Sequence, residues 1–134
     1  MKLDGGCLCG QVRYRIDARP EDVVDYCHCD QCRKASGAPV TAWIQVPPAR
    51  FELVAPGARA FQSSARGTRW FCPTCGSQLY MTDPENRSVG VTLGSLDDPA
   101  LAPPTVHGWT SARVPWFEVA DHLPRHEADP PYDL

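Results

Sequence analysis

The sequence lacks any apolar segment long enough to cross a bilayer. A run of about eighteen apolar residues, the length that indicates a membrane helix, is absent. The first residues, Met1 to Gly6, have no apolar core of the kind found in secretory signal peptides. We therefore expect a cytoplasmic protein without a membrane partner.

An excess of positive charge is also missing. The chain has 13 lysines and arginines against 16 aspartates and glutamates, and its formal net charge is -3. Proteins that bind nucleic acid usually present a basic patch to the phosphates. We therefore expect no nucleic-acid partner.

Internal repeats, heptads, glycine-rich phosphate loops and low-complexity tracts are absent as well. Their absence excludes solenoids, coiled coils and phosphate-loop nucleotide sites. A length of 134 residues with 43% hydrophobic content is typical of one globular unit. The prediction is a single domain over residues 1–134, with a proline-containing tail from about residue 124 to 134 to which we assign no structure.

Cysteine, in contrast, is abundant, with seven residues in the chain. An odd number cannot pair completely within one chain, and the cytoplasm keeps thiols reduced. Metal ligation therefore explains these cysteines better than disulfides do.

The stretch 27–32, Cys-His-Cys-Asp-Gln-Cys, concentrates three of these cysteines. Thiolates select zinc or iron-sulfur centres, and three protein ligands leave a position open, as in catalytic zinc sites. His28 is expected to point away from the metal as a solvated imidazole, because neighbouring side chains of an extended segment face opposite ways. A short helical turn is predicted from a cap at Asp30 through Ser36, with Gly37 as its terminator.

A second group is predicted around residues 72–76, Cys-Pro-Thr-Cys-Gly, which resemble one half of a zinc knuckle. Cys7 and Cys9, flanked by glycines that permit a kinked backbone, are the remaining pair. Closing the loop between residues 9 and 72 costs about 3 to 4 kcal/mol. Structural zinc contributes about 10 to 16 kcal/mol in favourable cases, so the sulfurs divide as four and three.

Alternation of polar and apolar residues predicts strands. In residues 11–16 it places Val12, Tyr14 and Ile16 on the core side. Other strands are predicted at 23–26, 40–46, 51–54, near Phe61, and at 77–81, 88–93, 105–110 and 115–119, with a turn at 83–86. The fold class is therefore all-β, with one or two short helical turns. Asp98, before Pro99, is predicted to cap a further turn.

Aromatic residues and a late histidine are the remaining candidates for a site. Trp43 is predicted in the core or in a pocket wall. His107 could approach the three-cysteine metal, because zinc accepts imidazole, although a structural role is the commoner one for a histidine.

Five segments together resemble the glutathione-dependent formaldehyde-activating enzyme family. They are residues 5–10 (GGCLCG), 27–37 (CHCDQCRKASG), 71–77 (FCPTCGS), 94–99 (GSLDDP) and 109–116. The resemblance spans nearly the whole chain in the family's order. The chain departs from the family pattern at Gly108 and Arg113, where an aliphatic residue and a lysine are common.

The resemblance implies a β-tent of several small antiparallel sheets held by two zinc ions per chain. It implies a structural zinc on Cys7, Cys9, Cys72 and Cys75. It also implies a catalytic zinc on Cys27, Cys29 and Cys32. The implied activity is that of a carbon-sulfur lyase, the reversible addition of glutathione or a similar thiol to formaldehyde or another small aldehyde.

The substrate pocket is less well defined by sequence. Trp43, His107, Trp109 and Arg113 are candidate substrate contacts. Arg33, Lys34 or Arg113 could meet the carboxylates of a peptide thiol. Three thiolates give a divalent site a formal charge of -1, which favours activation of the thiol over polarisation of the aldehyde. The alternatives are a non-catalytic zinc module that binds a partner protein and a thiol redox protein.

Overall fold

The computed structural model describes residues 1–85 and 87–132. In this part of the chain there are ten strands, one α-helix and four short 3₁₀ turns. The strands are β1 (Lys2–Gly6), β2 (Arg13–Asp17), β3 (Val24–Cys27), β4 (Thr41–Val46), β5 (Phe51–Ala55), β6 (Arg59–Gln62), β7 (Thr68–Phe71), β8 (Gln78–Asp83), β9 (Ser88–Thr92) and β10 (Val106–Gly108). The helix is α1 (Asp30–Ser36). The mostly-β prediction is confirmed.

The smaller sheet contains three strands in the order β1-β2-β5, all antiparallel. Val12, Tyr14 and Ile16 are completely buried, as the alternation predicted. Tyr14 stacks on Phe51, and Phe51 contacts Tyr80 of the larger sheet with ring centroids 4.7 Å apart. This row of aromatic rings joins the two sheets in one core.

The larger sheet has the order β10-β3-β4-β9-β8-β7-β6. Its pairs are antiparallel except that β10 runs parallel to β3. The family resemblance implied antiparallel sheets, and this parallel pair is the exception among the described strands. A parallel neighbour requires a long crossover, and here most of the domain lies between the two strands.

Helix α1 begins one residue earlier than predicted. Its N-cap is Cys29, whose Sγ accepts a hydrogen bond from the backbone N–H of Cys32 at 3.3 Å. Asp30 is instead the first helical residue, where a carboxylate also suits the positive end of the helix. Gly37 ends the helix at φ 73°, as expected. Asp98 caps the turn Pro99–Leu101 through Ala100 N–H, also as expected.

The strand predicted at 115–119 is wrong. Phe117 N–H bonds Val114 O at 3.3 Å, and the Arg113 guanidinium donates to the carbonyls of Val114 and Phe117. These local bonds form a turn, and Pro115 has no N–H to offer to a sheet.

The C-terminal segment, left without structure by the sequence analysis, packs against the domain over residues 124–132. His107 N–H donates to Pro124 O at 2.8 Å, and His126 N–H donates to His107 O at 2.9 Å. Trp109 N–H donates to Ala128 O at 2.9 Å. Pro130 is buried. Asn86 of the predicted turn and residues 133–134 of the predicted tail lie outside the described residues. Among the described residues, no helix has the length and apolarity to span a membrane.

Candidate metal centres and the adjoining cavity

The first cysteine group joins a turn near the N-terminus to a turn in the middle of the chain. Cys7 and Cys9 follow β1, and Cys72 and Cys75 lie between β7 and β8. Gly10 and Gly76 take positive φ values of 81° and 78°, which let each turn fold back on its two sulfurs. The four Sγ atoms lie within 4.8 Å of one another.

The sulfur spacing fits a tetrahedral metal site. Cys7 Sγ lies 3.6 Å from Cys9 Sγ, and Cys9 Sγ lies 3.8 Å from Cys72 Sγ. Zinc-sulfur bonds of about 2.3 Å place the ligands of a tetrahedron about 3.8 Å apart. All seven cysteines are free thiols and not disulfides. The group is therefore suited to a metal ion such as zinc.

Neutral donors surround these sulfurs. Val12 N–H donates to Cys7 Sγ at 3.2 Å, and Ser77 Oγ lies 3.2 Å from Cys75 Sγ. Hydrogen bonds from the side chain and backbone of Ser77 and from the backbone of Cys9 lower the pKa of Cys75 to about 5. Such donors favour the thiolate, which is the form that binds a metal.

The second group is built by the junction of β3 and α1. Cys27 ends β3, Cys29 caps α1, and Cys32 lies in the first turn of the helix. Their Sγ atoms also lie within 4.8 Å of one another, and within the described residues no fourth histidine, cysteine or carboxylate joins them. The neighbouring thiols of Cys27 and Cys29, and then the Arg69 guanidinium, hold the pKa of Cys32 far below the usual thiol range. This group can also hold a metal.

A cavity of about 500 Å³ opens beside this three-cysteine group. All three cysteines line it, together with Trp43, which is 3% exposed. A small molecule in the cavity would therefore meet the sulfurs directly. The four-cysteine group does not line this cavity.

The two histidines form a pair of their own. His28 Nε2 lies 2.9 Å from His107 Nδ1, and His107 Nε2 lies 3.0 Å from Asp121 Oδ2. His28 does point away from the cysteines, but it is buried against β10, so the expectation of a solvated imidazole is wrong. His107 has both ring nitrogens in these contacts and does not join the three cysteines. For His107, burial with both ring nitrogens hydrogen-bonded is the ordinary structural use of histidine.

The other predicted pocket residues separate into two sets. Trp43 and Trp109 line the cavity. Arg33 pairs with Asp30, Lys34 is exposed, and Arg113 bonds backbone carbonyls. These three cations do not line the cavity.

Arg69, Asp25 and Tyr132 are cavity residues that the sequence analysis did not single out. Arg69, from β7, donates to Cys32 Sγ. Asp25, in β3, is 2% exposed, and its Oδ2 accepts a hydrogen bond from Tyr132 OH at 3.3 Å. Burial raises the pKa of Asp25 to about 7, opposed by the nearby Gln45 and Tyr132 side chains. Charged residues inside otherwise apolar strands were the available signal for Arg69 and Asp25.

Comparison with known proteins agrees with this geometry. The family model described as "Glutathione-dependent formaldehyde-activating enzyme" matches residues 2–112. A Halomonas elongata protein named "Putative glutathione-dependent formaldehyde-activating enzyme" is 30% identical over 129 residues, covering 89% of this chain and 82% of that protein. A crystal structure of a Rhodobacter sphaeroides protein has the same fold, with a TM-score of 0.63 at 18% identity over 92% of this chain and 99% of that one. The chain belongs to the glutathione-dependent formaldehyde-activating enzyme family.

Proposed function

We propose that the protein is a cytoplasmic carbon-sulfur lyase that adds the thiol of glutathione, or of a similar small thiol, reversibly to formaldehyde or another small aldehyde. The observation that carries the proposal is the three-cysteine group, which faces a cavity of about 500 Å³ and has no fourth protein ligand among the described residues. An open position is what distinguishes catalytic from structural zinc sites. The family match and the name of the Halomonas relative support these two substrates.

The reaction requires the protein to position the thiol and the aldehyde and to direct the transfer of one proton. The thiol sulfur forms a bond to the aldehyde carbon, the C=O double bond becomes a single bond, and the proton that left sulfur ends on the new hydroxyl. When bound by Cys27, Cys29 and Cys32, a zinc ion would favour the thiolate form of a thiol substrate. Since no atom is lost, the same groups serve the reverse cleavage.

The remaining residues would hold the reactants together. Trp43 forms an apolar wall beside the sulfurs, with its indole N–H satisfied by Thr41 Oγ1 at 2.7 Å. Trp109 and Tyr132 line the same cavity from the C-terminal part of the chain. When two small reactants are held together in one cavity, their reaction becomes effectively unimolecular. This proximity accounts for much of the rate acceleration that an enzyme can give to such an addition.

A second zinc ion is proposed on Cys7, Cys9, Cys72 and Cys75 with a structural role. The four sulfurs would fill the tetrahedral coordination sphere of zinc, so no position would remain for a substrate. The site connects turns that are 63 residues apart in sequence, which suits a stabilising function.

The test replaces Cys29 with serine. Serine is a favourable N-cap, so α1 should persist while one metal ligand is weakened. We expect zinc per chain to fall by one ion, and formation of the glutathione-formaldehyde adduct, followed by NMR, to fall by at least about 100-fold. The control is Lys34→Ala on the same helix, an exposed position outside the cavity.

Two outcomes would contradict the proposal. Loss of one zinc with an unchanged adduct rate would remove the three-cysteine group from catalysis. A wild-type protein that carries both ions but forms no adduct with glutathione or other small thiols would favour a non-catalytic zinc module.

A further inference from the structure

Arg69 is a buried cation that contacts a sulfur of the three-cysteine group. Its side chain extends from β7, and the residue is only 6% exposed. The two terminal guanidinium nitrogens lie 3.7 and 3.6 Å from Cys32 Sγ, both as hydrogen-bond donors. Nε donates to Ser63 Oγ at 3.1 Å, and the guanidinium carbon lies 6.0 Å from the ring centre of Trp43. Cys32, Ser63 and Trp43 therefore surround the guanidinium on three sides.

No carboxylate in the described part of the chain forms an ion pair with Arg69. A buried guanidinium stays charged and requires a negative partner, because an unpaired charge in a protein interior is strongly destabilising. Cys32 Sγ is the atom that meets this requirement here. The contact thus pairs the cation with a thiolate.

The contact between Arg69 and Cys32 changes the formal charge of the metal site. Three thiolates and one divalent ion sum to -1, and Arg69 brings the ensemble to zero. Cys27 and Cys32 are buried, so solvent screens little of that charge. The four-cysteine group would carry -2 with a divalent ion, but Cys9 is exposed and Cys75 half-buried, and its described donors are neutral N–H and O–H groups.

We propose that Arg69 is a positioning residue that balances the charge of the three-thiolate metal site, so that the site holds a divalent ion while it remains open to an anionic thiol. The inference rests on the proposed metal binding by Cys27, Cys29 and Cys32. It adds a counter-charge to the formal charge of -1 that the sequence analysis assigned to the site. An incoming thiolate then meets a neutral ensemble instead of an anionic one.

The test compares Arg69→Met, which removes the charge and keeps a long side chain, with Arg69→Lys, which keeps the charge. Zinc affinity is measured by competition with a chromophoric chelator, and the thiolate-to-metal absorption is recorded after loading with cobalt. We expect Arg69→Met to raise the Kd of one of the two zinc ions by about 10- to 100-fold. It should also shift the thiolate-to-cobalt absorption band. Arg69→Lys should restore most of the affinity, because the positive charge is what acts. Arg59→Met, at an exposed position of the edge strand β6, is the control and should change neither.

The affinity of the other ion reports whether each variant is folded, because Cys72 and Cys75 directly follow β7. Unchanged binding of both ions by Arg69→Met would overturn the proposal even if the wild-type protein forms adduct normally. Binding of only one ion by the wild-type protein would overturn it as well. Weakened binding with an inactive wild-type protein would support the charge balance and contradict the proposed reaction, so the two failures are distinguishable.

Discussion

At the scale of single residues, one side chain often meets two requirements. Cys29 contributes a sulfur to the three-cysteine group and caps α1, and Asp22 closes a turn and neutralises the half-buried Arg50. Asp22 Oδ2 accepts from Arg19 N–H at 2.8 Å, while Arg50 donates to both of its carboxylate oxygens. Positions of this kind tolerate few replacements, because each change breaks two interactions together.

Asp22→Ala is predicted to destabilise the fold by about 3 to 5 kcal/mol, since it leaves the half-buried Arg50 guanidinium without its counter-charge. The Asp22 side chain is 1% exposed and that of Arg50 is 12% exposed. Urea unfolding measures the difference in free energy. Asp4→Ala, which breaks the exposed pair with Arg15, is the control and should cost less than about 1 kcal/mol. Equal effects of the two variants would show that burial does not govern these pairs.

At the scale of elements, glycines in left-handed conformations end the helix and shape the turns of the four-cysteine group. Gly37 ends α1 at φ 73°, and Gly10 and Gly76 turn the chain at the four-cysteine group. A methyl group at Gly37 would meet nothing within 4 Å, so any cost there comes from backbone conformation and not from a clash.

Gly37→Ala is predicted to destabilise the protein by about 1 kcal/mol, because the left-handed conformation is strained for an L-residue. Gly94→Ala is the matched control, since Gly94 also has open space around it but does not have a positive φ. It should be neutral or stabilise by about 0.4 to 1 kcal/mol. Thermal and urea unfolding of both variants make the comparison. A neutral Gly37→Ala would mean that the helix end rearranges.

At the scale of the whole molecule, the four-cysteine group and the C-terminal segment join distant parts of the chain. The four-cysteine group connects turns that lie 63 residues apart, whereas Cys27, Cys29 and Cys32 come from one short stretch. Segment 124–132 covers β10 and contributes Asp129 and Tyr132 to the cavity wall. The family match ends at residue 112, so this wall is built by sequence beyond it.

Cys9→Ser is predicted to lower the thermal midpoint by about 10 °C or more, because it opens a long metal-closed loop. Cys29→Ser should lower it much less, since a site within one short stretch restrains little of the unfolded chain. Calorimetry of both zinc-loaded variants tests this difference. Chelation of zinc from the wild-type protein should reproduce the Cys9→Ser midpoint. A larger effect of Cys29→Ser would mean that the three-cysteine group, and not the four-cysteine group, has the stabilising role.

Gly108→Ala is predicted to displace the C-terminal segment, because the added Cβ would lie 2.7 Å from Pro130 Cδ. Loss of this packing would also separate Tyr132 from Asp25. The expected result is faster proteolysis within residues 124–132, measured by mass spectrometry, while both metal ions remain bound. The double variant with Pro130→Ala, which shortens the clashing side chain, should restore resistance. Unchanged proteolysis would show that the segment adapts without leaving β10.

The sequence by itself determined most of the strands, although it missed β1 and β7, and it determined core positions and the grouping of cysteines. Val12, Tyr14 and Ile16 were predictable because period-two alternation reports burial directly. Spacing alone brought Cys27, Cys29 and Cys32 together as candidates, and the structure places their sulfurs within 4.8 Å of one another. Local geometry is sufficient there, because so few residues separate the ligands.

Only the tertiary structure decided which distant charges meet these sulfurs. Arg69 lies 37 residues from Cys32 and reaches it because β7 and α1 face the same cavity. His28 is buried because β10 crosses the domain to lie parallel to β3, and Tyr132 meets Asp25 from 107 residues away. No local pattern encodes such contacts, since they depend on the order of strands in the sheet. The local sequence therefore specified the candidate sulfur ligands, while sheet topology specified the charge and shape of the cavity around them.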